Sequence, residues 1–514
     1  MKLDKIVIVG GGSAGWMTAS TLIKAFPNKD ITLIESPNVP VIGVGESTIQ
    51  RIRNWTTYLG IDDKQFLKHT DGIYKLSIKF TDFYKKGTEF HYPFGVAHTD
   101  NTRAEFNDWW FKKEFYPETP QTDYADCYSP AMALVNQNKI DHEFEDFRLD
   151  TDSAYHFDAI KFGHWLKEHY CLPRGVKHIQ EDITDIQQDE NGIKSLNGKH
   201  EADLYIDCTG FKALLLDKTL NEPFESLEDK LPNNSAWATR MPYRDKEKEL
   251  KPYTNCTAIE NGWVWNIPLW NRVGTGYVYS DKFVDDETAL QQFKNHLGLN
   301  YHDHPNHDDL EFRKIKMRTG IHKRLFVKNV AAVGLAGGFI EPLESNGLFS
   351  VHEFLIELVR NLRRDYITQW DKDNYTHTCK SMFYKFAEFV GMHYALSIRN
   401  DTDYWRANNQ KQWEESLINL KPKMQIGYLY SAIDRNQEHR FANDGGGLHF
   451  IAAGMNWAPT DKDNLMYHNL LSEEKLLKLY QPAIAYLDVR KRHWNSKAKN
   501  SPDNIQFLKD NIYT

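Results

Sequence analysis

At 514 residues the chain is too long for one small core, and a length prior predicts about two to four structural units. A net charge of −8 with 26% charged residues excludes a general nucleic-acid binder, which needs a basic face, and no apolar run approaches the ~20 residues that span a bilayer. The cysteines, Cys127, Cys171, Cys208, Cys256 and Cys379, form no CxxC pair and read as reduced thiols. Together with an opening "MKLDKIVIVGGG" that runs straight into a strand, and so predicts no signal peptide, they point to a cytoplasmic protein.

Residues 3–9 read as a buried strand, "SAGWMTASTLIKAF" as a helix with small residues facing it, and "DITLIES" as a second strand that completes a βαβ unit. "VIVGGGSAGWMTA" sets Gly10-x-Gly12-x-x-Gly15 between strand and helix. Glycines there allow a tight turn and close approach of a pyrophosphate, and Ser13 and Ala14 open the helix whose N-terminus supplies positive potential. Glu35 ends the second strand, where a carboxylate accepts the ribose hydroxyls. A second glycine cluster, "GVGESTI", carries Val44, Gly45, Glu46 and Ser47; on its own it reads as a tight loop.

Further along, "LSIKFTDF" puts Ser77, Lys79 and Thr81 on one strand face, opposite Leu76, Ile78 and Phe80. By pattern alone that is a solvated face. The stretch from 50 to 150 is aromatic and irregular, and its 80–150 part serves equally well as an interface or as a pocket, so the pattern leaves homo-oligomerisation open. "FDAIKFGHWLKEHY" returns to helical spacing, and "ADLYIDCTGF" is a strand closed by a glycine turn. Residues 220–310 alternate short strands with polar loops. Within them "WVWNIPLW" faces Trp263, Trp265 and Ile267 to one side, and Pro268 ends the strand. Core packing is the ordinary reading of such a stripe.

"YHDHPNHDDL" (301–310) gathers His302, Asp303, His304, His307 and Asp308. Neither its spacing nor its context matches a known metal site, and it reads as a solvated loop with no metal. "NVAAVGLAGGFIEPLESNGLFSVHEFLIELVRNL" then repeats the plan of strand, glycine turn and helix, with Ser345 or Asn346 as the cap. Residues 365–514 are mostly helical in pattern. A second dinucleotide fingerprint, which a flavoprotein binding its own NADPH often carries, is absent. "DLYIDCTGF" (203–211) and "GLAGGFIEP" resemble the late strand and the flavin-covering segment of FAD-dependent monooxygenases, which implies FAD, with reducing equivalents delivered from elsewhere.

Together "GxGxxG", "GVGEST", "LSIKF", "YHFDA" (155–159), "IDCTGF", "WVWNIP", "GGFIEPLES" and "DTDYW" (401–405) resemble the flavin-dependent halogenases of the tryptophan-halogenase type. The matches run from residue 10 to about 405; "WxWxIP" and "EPLES" are specific to that group, whereas the fingerprint is not. The resemblance implies an α/β fold: an FAD-binding Rossmann-like domain of the aromatic-monooxygenase type with an inserted and C-terminal, mostly helical substrate domain. The corresponding boundaries are 1–80, 150–220 and 310–365 for the flavin domain, and 80–150, 220–310 and 365–514 for the substrate domain.

The implied chemistry uses reduced FAD and O2 to convert a halide ion into hypohalous acid, which travels inside the protein to an aromatic substrate in a separate pocket. A separate flavin reductase supplies the FADH2; neither nucleic acid nor membrane is involved. Trp263 and Trp265 match the tryptophans thought to keep substrate away from the flavin. The resemblance assigns halogen transfer to Lys79, either as a hydrogen-bond donor to hypohalous acid or as a haloamine, and general-base work to Glu344; Glu341 reads as structural. It puts Leu335 and Ile340 against the flavin and the halide at Asn346 and Gly347, where relatives commonly carry threonine instead of Asn346. Phe94 matches an aromatic that sandwiches the substrate, Tyr92 replaces a usual histidine, and Trp457 lines the pocket. The carboxylate clamp of tryptophan-specific relatives has no clear counterpart in 432–459, so a bare indole or a phenol suits the site as well as tryptophan. The competing readings are an FAD-dependent aromatic hydroxylase and a flavin-binding protein without catalysis.

Overall fold

A computed structural model describes residues 1–39, 46–95, 97, 108–298, 310–364, 366–409, 447–458 and 472–514. Val44, Gly45, the histidine-rich loop up to residue 309, and 432–446 of the expected clamp region lie outside the described residues.

The first sheet orders its strands Lys177–Gln180, Asp30–Glu35, Lys5–Val9, Leu204–Asp207, Val330–Ala332 and Phe326–Val327. All neighbours are parallel except the final pair. Strands buried on both faces need continuous apolar runs, and "KIVIV" and "LYID" supply them. The helix Ser13–Ala25 crosses between Lys5–Val9 and Asp30–Glu35, burying Gly15 through Ile23. This Rossmann-like sheet therefore draws on three distant stretches of chain.

A second sheet of seven strands runs Arg313–Lys316, Ser235–Met241, Val273–Tyr279, Gly262–Pro268, Tyr253–Ile259, Ser77–Thr81 and Glu89–Pro93. Only Tyr253–Ile259 and Ser77–Thr81 pair in parallel. A small third sheet holds Glu46–Ser47, Ala154–Phe157 and Ile73–Lys75 and bridges the flavin side to the second sheet. One apolar core runs through the first two sheets and the helices Gly347–Leu362 and Gln369–Ala395. The described C-terminal part is helical, ending in Glu473–Ala498 and Asn504–Asn511. Among the described residues no helix is long and apolar enough to cross a membrane.

Candidate active site

The glycine turn is built for a dinucleotide. Gly10 has φ +117°, and a Cβ there would lie 2.3 Å from the Cys208 carbonyl oxygen, so only glycine lets the first strand meet the "DCTG" turn. At Gly12 a Cβ would meet nothing within 4 Å, which leaves the turn open on the side a pyrophosphate approaches. The Glu35 carboxylate lies against Gly11 and accepts from His178 Nε2 at 2.7 Å. Ser13 spends its hydroxyl on the Ala159 carbonyl at 3.2 Å, so the helix backbone is what it offers a phosphate. These residues fit a bound dinucleotide.

The turn Gly334–Ala336 rests on the start of the same helix, a Cβ at Gly334 falling 2.9 Å from Ala14 Cβ. Beyond it, a small cavity of about 20 Å3 is lined by Leu335, Ile340, Asn346, Gly347 and Phe349. The helix Gly347–Leu362 opens there, and its first-turn N–H groups have no intrahelical acceptors. Asn346 occupies the cap position without capping: its amide donates to the Ile340 carbonyl at 3.3 Å. Half-buried Glu46 reaches Gly347, with Oε2 3.5 Å from where a Cβ would sit. Burial, reinforced by Asp158, pushes the Glu46 carboxyl up to about 7.

"WVWNIP" behaves as its alternation predicts. Trp263, Trp265 and Ile267 join the main core, while Val264 packs on the opposite face with Tyr277 and Tyr279. The indoles lie 6.2 Å apart, tilted by 59°. Across the strand from Trp265 stands Gly276, where a Cβ would come within 2.2 Å of the ring; the sheet leaves room for this tryptophan by omitting a side chain. Trp263 Nε1 donates to Glu341 Oε2 at 2.8 Å, and the same oxygen accepts from Asn233 at 2.7 Å and from Tyr394 at 2.8 Å. Glu341 is thus a buried hub, in line with the structural role expected of it. Each indole, at about 200 Å2 and 25 cal/mol/Å2, contributes about 5 kcal/mol of gross burial.

The two lysines of "YKLSIKF" go to different places. Lys79, on the strand Ser77–Thr81, pairs with half-exposed Glu89 at 2.6 Å. Lys75 ends the preceding short strand and is fully buried. Its ammonium donates to the Thr48 carbonyl at 2.8 Å and to Ser345 Oγ at 2.7 Å, and lies 4.9 Å from the centre of the Phe94 ring. Burial pushes Lys75 down to about 7, against the opposing pull of Cys256 and Glu344.

Glu344 closes the 3₁₀ turn Pro342–Glu344 and is 1% exposed. Burial holds its carboxyl above the usual carboxylate range; His393 and Lys75 oppose the shift. His393 Nε2 lies 2.8 Å from Oε1, at an angle poorer than a directed hydrogen bond. Phe80 covers that imidazole, its ring centre 4.7 Å away. Tyr92 lies beside Phe94, ring centres 5.9 Å apart, and stacks on Phe450 of the helix Gly447–Gly454. Partly buried Trp457 follows that helix.

Lys75, Glu344 and Phe94 are thus brought together, and Lys79 is not among them. Sequence reasoning missed Lys75 because both lysines have the same parity in an alternating pattern. The chain changes sheets at Leu76: Ile73–Lys75 pairs with Ala154–Phe157, and Ser77–Thr81 with Tyr253–Ile259 and Glu89–Pro93, so strand parity does not carry from one lysine to the other. His393 was missed as well; its signal was a histidine on the apolar face of "FVGMHYA". Among the described residues no cluster of three metal-ligating side chains occurs.

The tryptophan halogenase family model matches residues 5–469. The chain belongs to the tryptophan halogenase family. It is 33% identical over 491 residues to tryptophan 6-halogenase ThaL of Streptomyces albogriseolus, covering 89% of this chain and 90% of that one. Among solved structures, VirX1 in its apo form superposes with a TM-score of 0.88 at 37% identity, covering all of both chains. Tar14, a tryptophan C-6 flavin-dependent halogenase from taromycin biosynthesis, superposes with a TM-score of 0.84 at 29% identity over 99% of this chain and 100% of that one. The halogenase is accordingly an oxidoreductase of the flavin-dependent kind, and its first sheet is the FAD-binding fold that this family implies.

Proposed function

We propose that this halogenase places a halogen on an electron-rich aromatic, an indole or a related arene, with Lys75 directing the halogen and Glu344 taking the proton. The observation that carries this reading is the Lys75 ammonium, buried on two neutral oxygens between the Glu344 turn and the Phe94 ring. The family resemblance assigned transfer to Lys79, but Lys79 spends its charge on Glu89, and the lysine with the burial this role requires is Lys75, four residues earlier.

Bound reduced FAD and O2 supply the oxidising equivalent that turns halide into hypohalous acid. Gly10, Gly12, Ala14, Gly15 and Glu35 hold the dinucleotide, with Leu335 and Ile340 on the flavin side; Ser13 contributes through its backbone. The start of the helix at Asn346 and Gly347 receives the halide. Trp263 and Trp265, fixed by Glu341 and by the sheet, exclude the arene from the flavin side by bulk. Hypohalous acid is held through its oxygen by a Lys75 N–H, which polarises the halogen–oxygen bond. As the ring carbon bonds to halogen, that bond breaks and the departing hydroxide takes the proton of the Lys75 N–H that holds it, leaving as water; the proton later accepted by Glu344 restores the ammonium. The proton on the attacked carbon passes to the Glu344 carboxylate, which also stabilises the cationic ring. Phe94, Tyr92 and Trp457 flank the arene, and a separate flavin reductase supplies the FADH2.

The test is incubation with reduced FAD, O2 and bromide across a panel of indoles and phenols, read by mass spectrometry. Brominated product that disappears in Lys75→Met supports the reading. Hydroxylated product without halogen overturns it.

A further inference from the structure

Four motifs that the mechanism does not otherwise link meet in one buried line of hydroxyls. Lys75 Nζ donates to Ser345 Oγ at 2.7 Å; Ser345 Oγ lies 3.0 Å from Ser47 Oγ; Ser47 Oγ lies 2.6 Å from Thr254 Oγ1; and Thr254 Oγ1 lies 2.8 Å from His156 Nε2. Every member is buried, Lys75 and His156 completely. Ser47 belongs to "GVGEST", His156 to "YHFDA", and Ser345 follows "PLE". The other ring nitrogen of His156, Nδ1, is buried and makes no hydrogen bond among the described residues.

The direction of this line follows from its Lys75 end. An ammonium has only donors, so Ser345 must turn a lone pair toward Lys75. Ser345 then has its own proton for Ser47, and the same orientation passed along the line has Thr254 donating to His156 Nε2, which puts the imidazole proton on Nδ1. Burial, with the Lys75 charge second, holds His156 well below the usual imidazole range, so the ring is neutral. With one end donating and the other accepting, all three hydroxyl protons point away from Lys75 and their oxygens point toward it. Aligned hydrogen bonds polarise one another in a dry interior. The backbone assists: Ser345 sits at φ +58°, a left-handed conformation that side-chain-bearing residues adopt only where their surroundings enforce it, and there its hydroxyl lies between Lys75 and Ser47.

We propose that His156 is a positioning residue which, through Thr254, Ser47 and Ser345, orients these hydroxyls so that Lys75 is held as the ammonium. The proposal rests on the reading of Lys75 as the halogen-directing group. Breaking the line at Thr254 removes the acceptor of Ser47; Ser47 and Ser345 can then reverse and donate toward a neutral amine. The ionisable groups that face Lys75 are Glu344 on the 3₁₀ turn, Cys256 on the strand Tyr253–Ile259 and His156 itself. Glu46 adjoins Ser47, and His393 stands behind Glu344. Substitution at Thr254 leaves all of them in place.

The titration of Lys75 can be followed without turnover, by 13C NMR of lysine ε-carbons in the FAD-loaded protein, with the resonance assigned by its loss in Lys75→Met. Thr254→Val is expected to lower the midpoint by about one pH unit, the size of one hydrogen bond to a charged group, while Thr254→Ser keeps the parental value. His156→Leu should follow Thr254→Val, and His156→Gln, whose amide oxygen can accept, should restore the parental midpoint. A Thr254→Val midpoint equal to that of the parent overturns the proposal, as does a Thr254→Ser midpoint displaced equally far. If Thr254→Val no longer binds FAD, Ser47→Ala breaks the line at its centre and carries the same expectation. A normal NMR result with no halogenated product from the parent would defeat the functional reading and leave this one standing.

Discussion

Lys75 and Glu344 are joined through one residue: the Lys75 ammonium donates at 2.7 Å to the hydroxyl of Ser345, which directly follows Glu344 in the chain. The 3₁₀ turn Pro342–Glu344 and the left-handed Ser345 therefore present a candidate base and the support of a candidate donor together, and movement of that turn displaces both.

The two lysines should separate cleanly. Lys75→Met is expected to lower the halogenation rate at least 100-fold, the scale of a lost proton-transfer or charge-orienting group. Lys79→Ala removes only a partly exposed pair with Glu89, of the kind that contributes about 0–1 kcal/mol, and should stay within a few-fold of the parent. Product formation by mass spectrometry with FAD binding by fluorescence checks both; an inactive Lys79→Ala beside an active Lys75→Met would reverse the assignment.

Stability should depend on pH through Lys75. Its folded-state value of about 7 lies below the ordinary 10.5, so between those limits the unfolded chain binds more protons than the folded one. The penalty for the buried cation is full below about pH 7 and is relieved as pH rises toward 10.5. Lys75→Met should therefore gain most over the parent below pH 7, and the gain should shrink in alkali. Denaturant melts at several pH values measure this; a constant difference across the range would contradict it.

Glu344→Gln keeps the size of the side chain and removes the base. A drop of about 100- to 10,000-fold in halogenation is expected, with FAD binding unchanged because the dinucleotide turn is built elsewhere. Equal rates for both proteins would end the role given to this carboxylate.

Glu46 predicts how halide binding varies with pH. Its carboxyl, pushed up to about 7, stands beside Gly347 and repels an anion once ionised. Bromide should bind the FAD-loaded protein more tightly below pH 7 than above it, and Glu46→Gln should flatten the dependence. Bromide titrations at three pH values read this directly.

Trp263→Phe keeps an aromatic ring but strips one of three donors from Glu341 Oε2. A buried carboxylate that loses a donor costs about 1–3 kcal/mol, measurable by denaturant unfolding. A neutral substitution would mean that the indole N–H does not hold the wall in place.

Much of this protein was legible in the linear chain because the evidence was local. The strand, glycine turn and helix around Gly10 to Gly15, the alternation that puts Trp263 and Trp265 on one face, and the helix after Gly347 each depend on neighbours within a few residues, where periodicity and turn chemistry act. Even the structural reading of Glu341 followed from its motif.

The identity of the buried lysine was of another kind. Lys75 and Lys79 are alike in residue type, in strand parity and in surroundings along the chain. They differ because Ile73–Lys75 joins the sheet of Ala154–Phe157 and Ser77–Thr81 that of Tyr253–Ile259, pairings that exist once distant strands have assembled. His393 on Glu344, and Thr254 between Ser47 and His156, are likewise meetings of segments roughly fifty to two hundred residues apart. Burial decides a side chain's charge, and burial is a property of the packed whole. The sequence alone determined which chemistry the chain carries; only the tertiary structure decided which ammonium is dry enough to perform it.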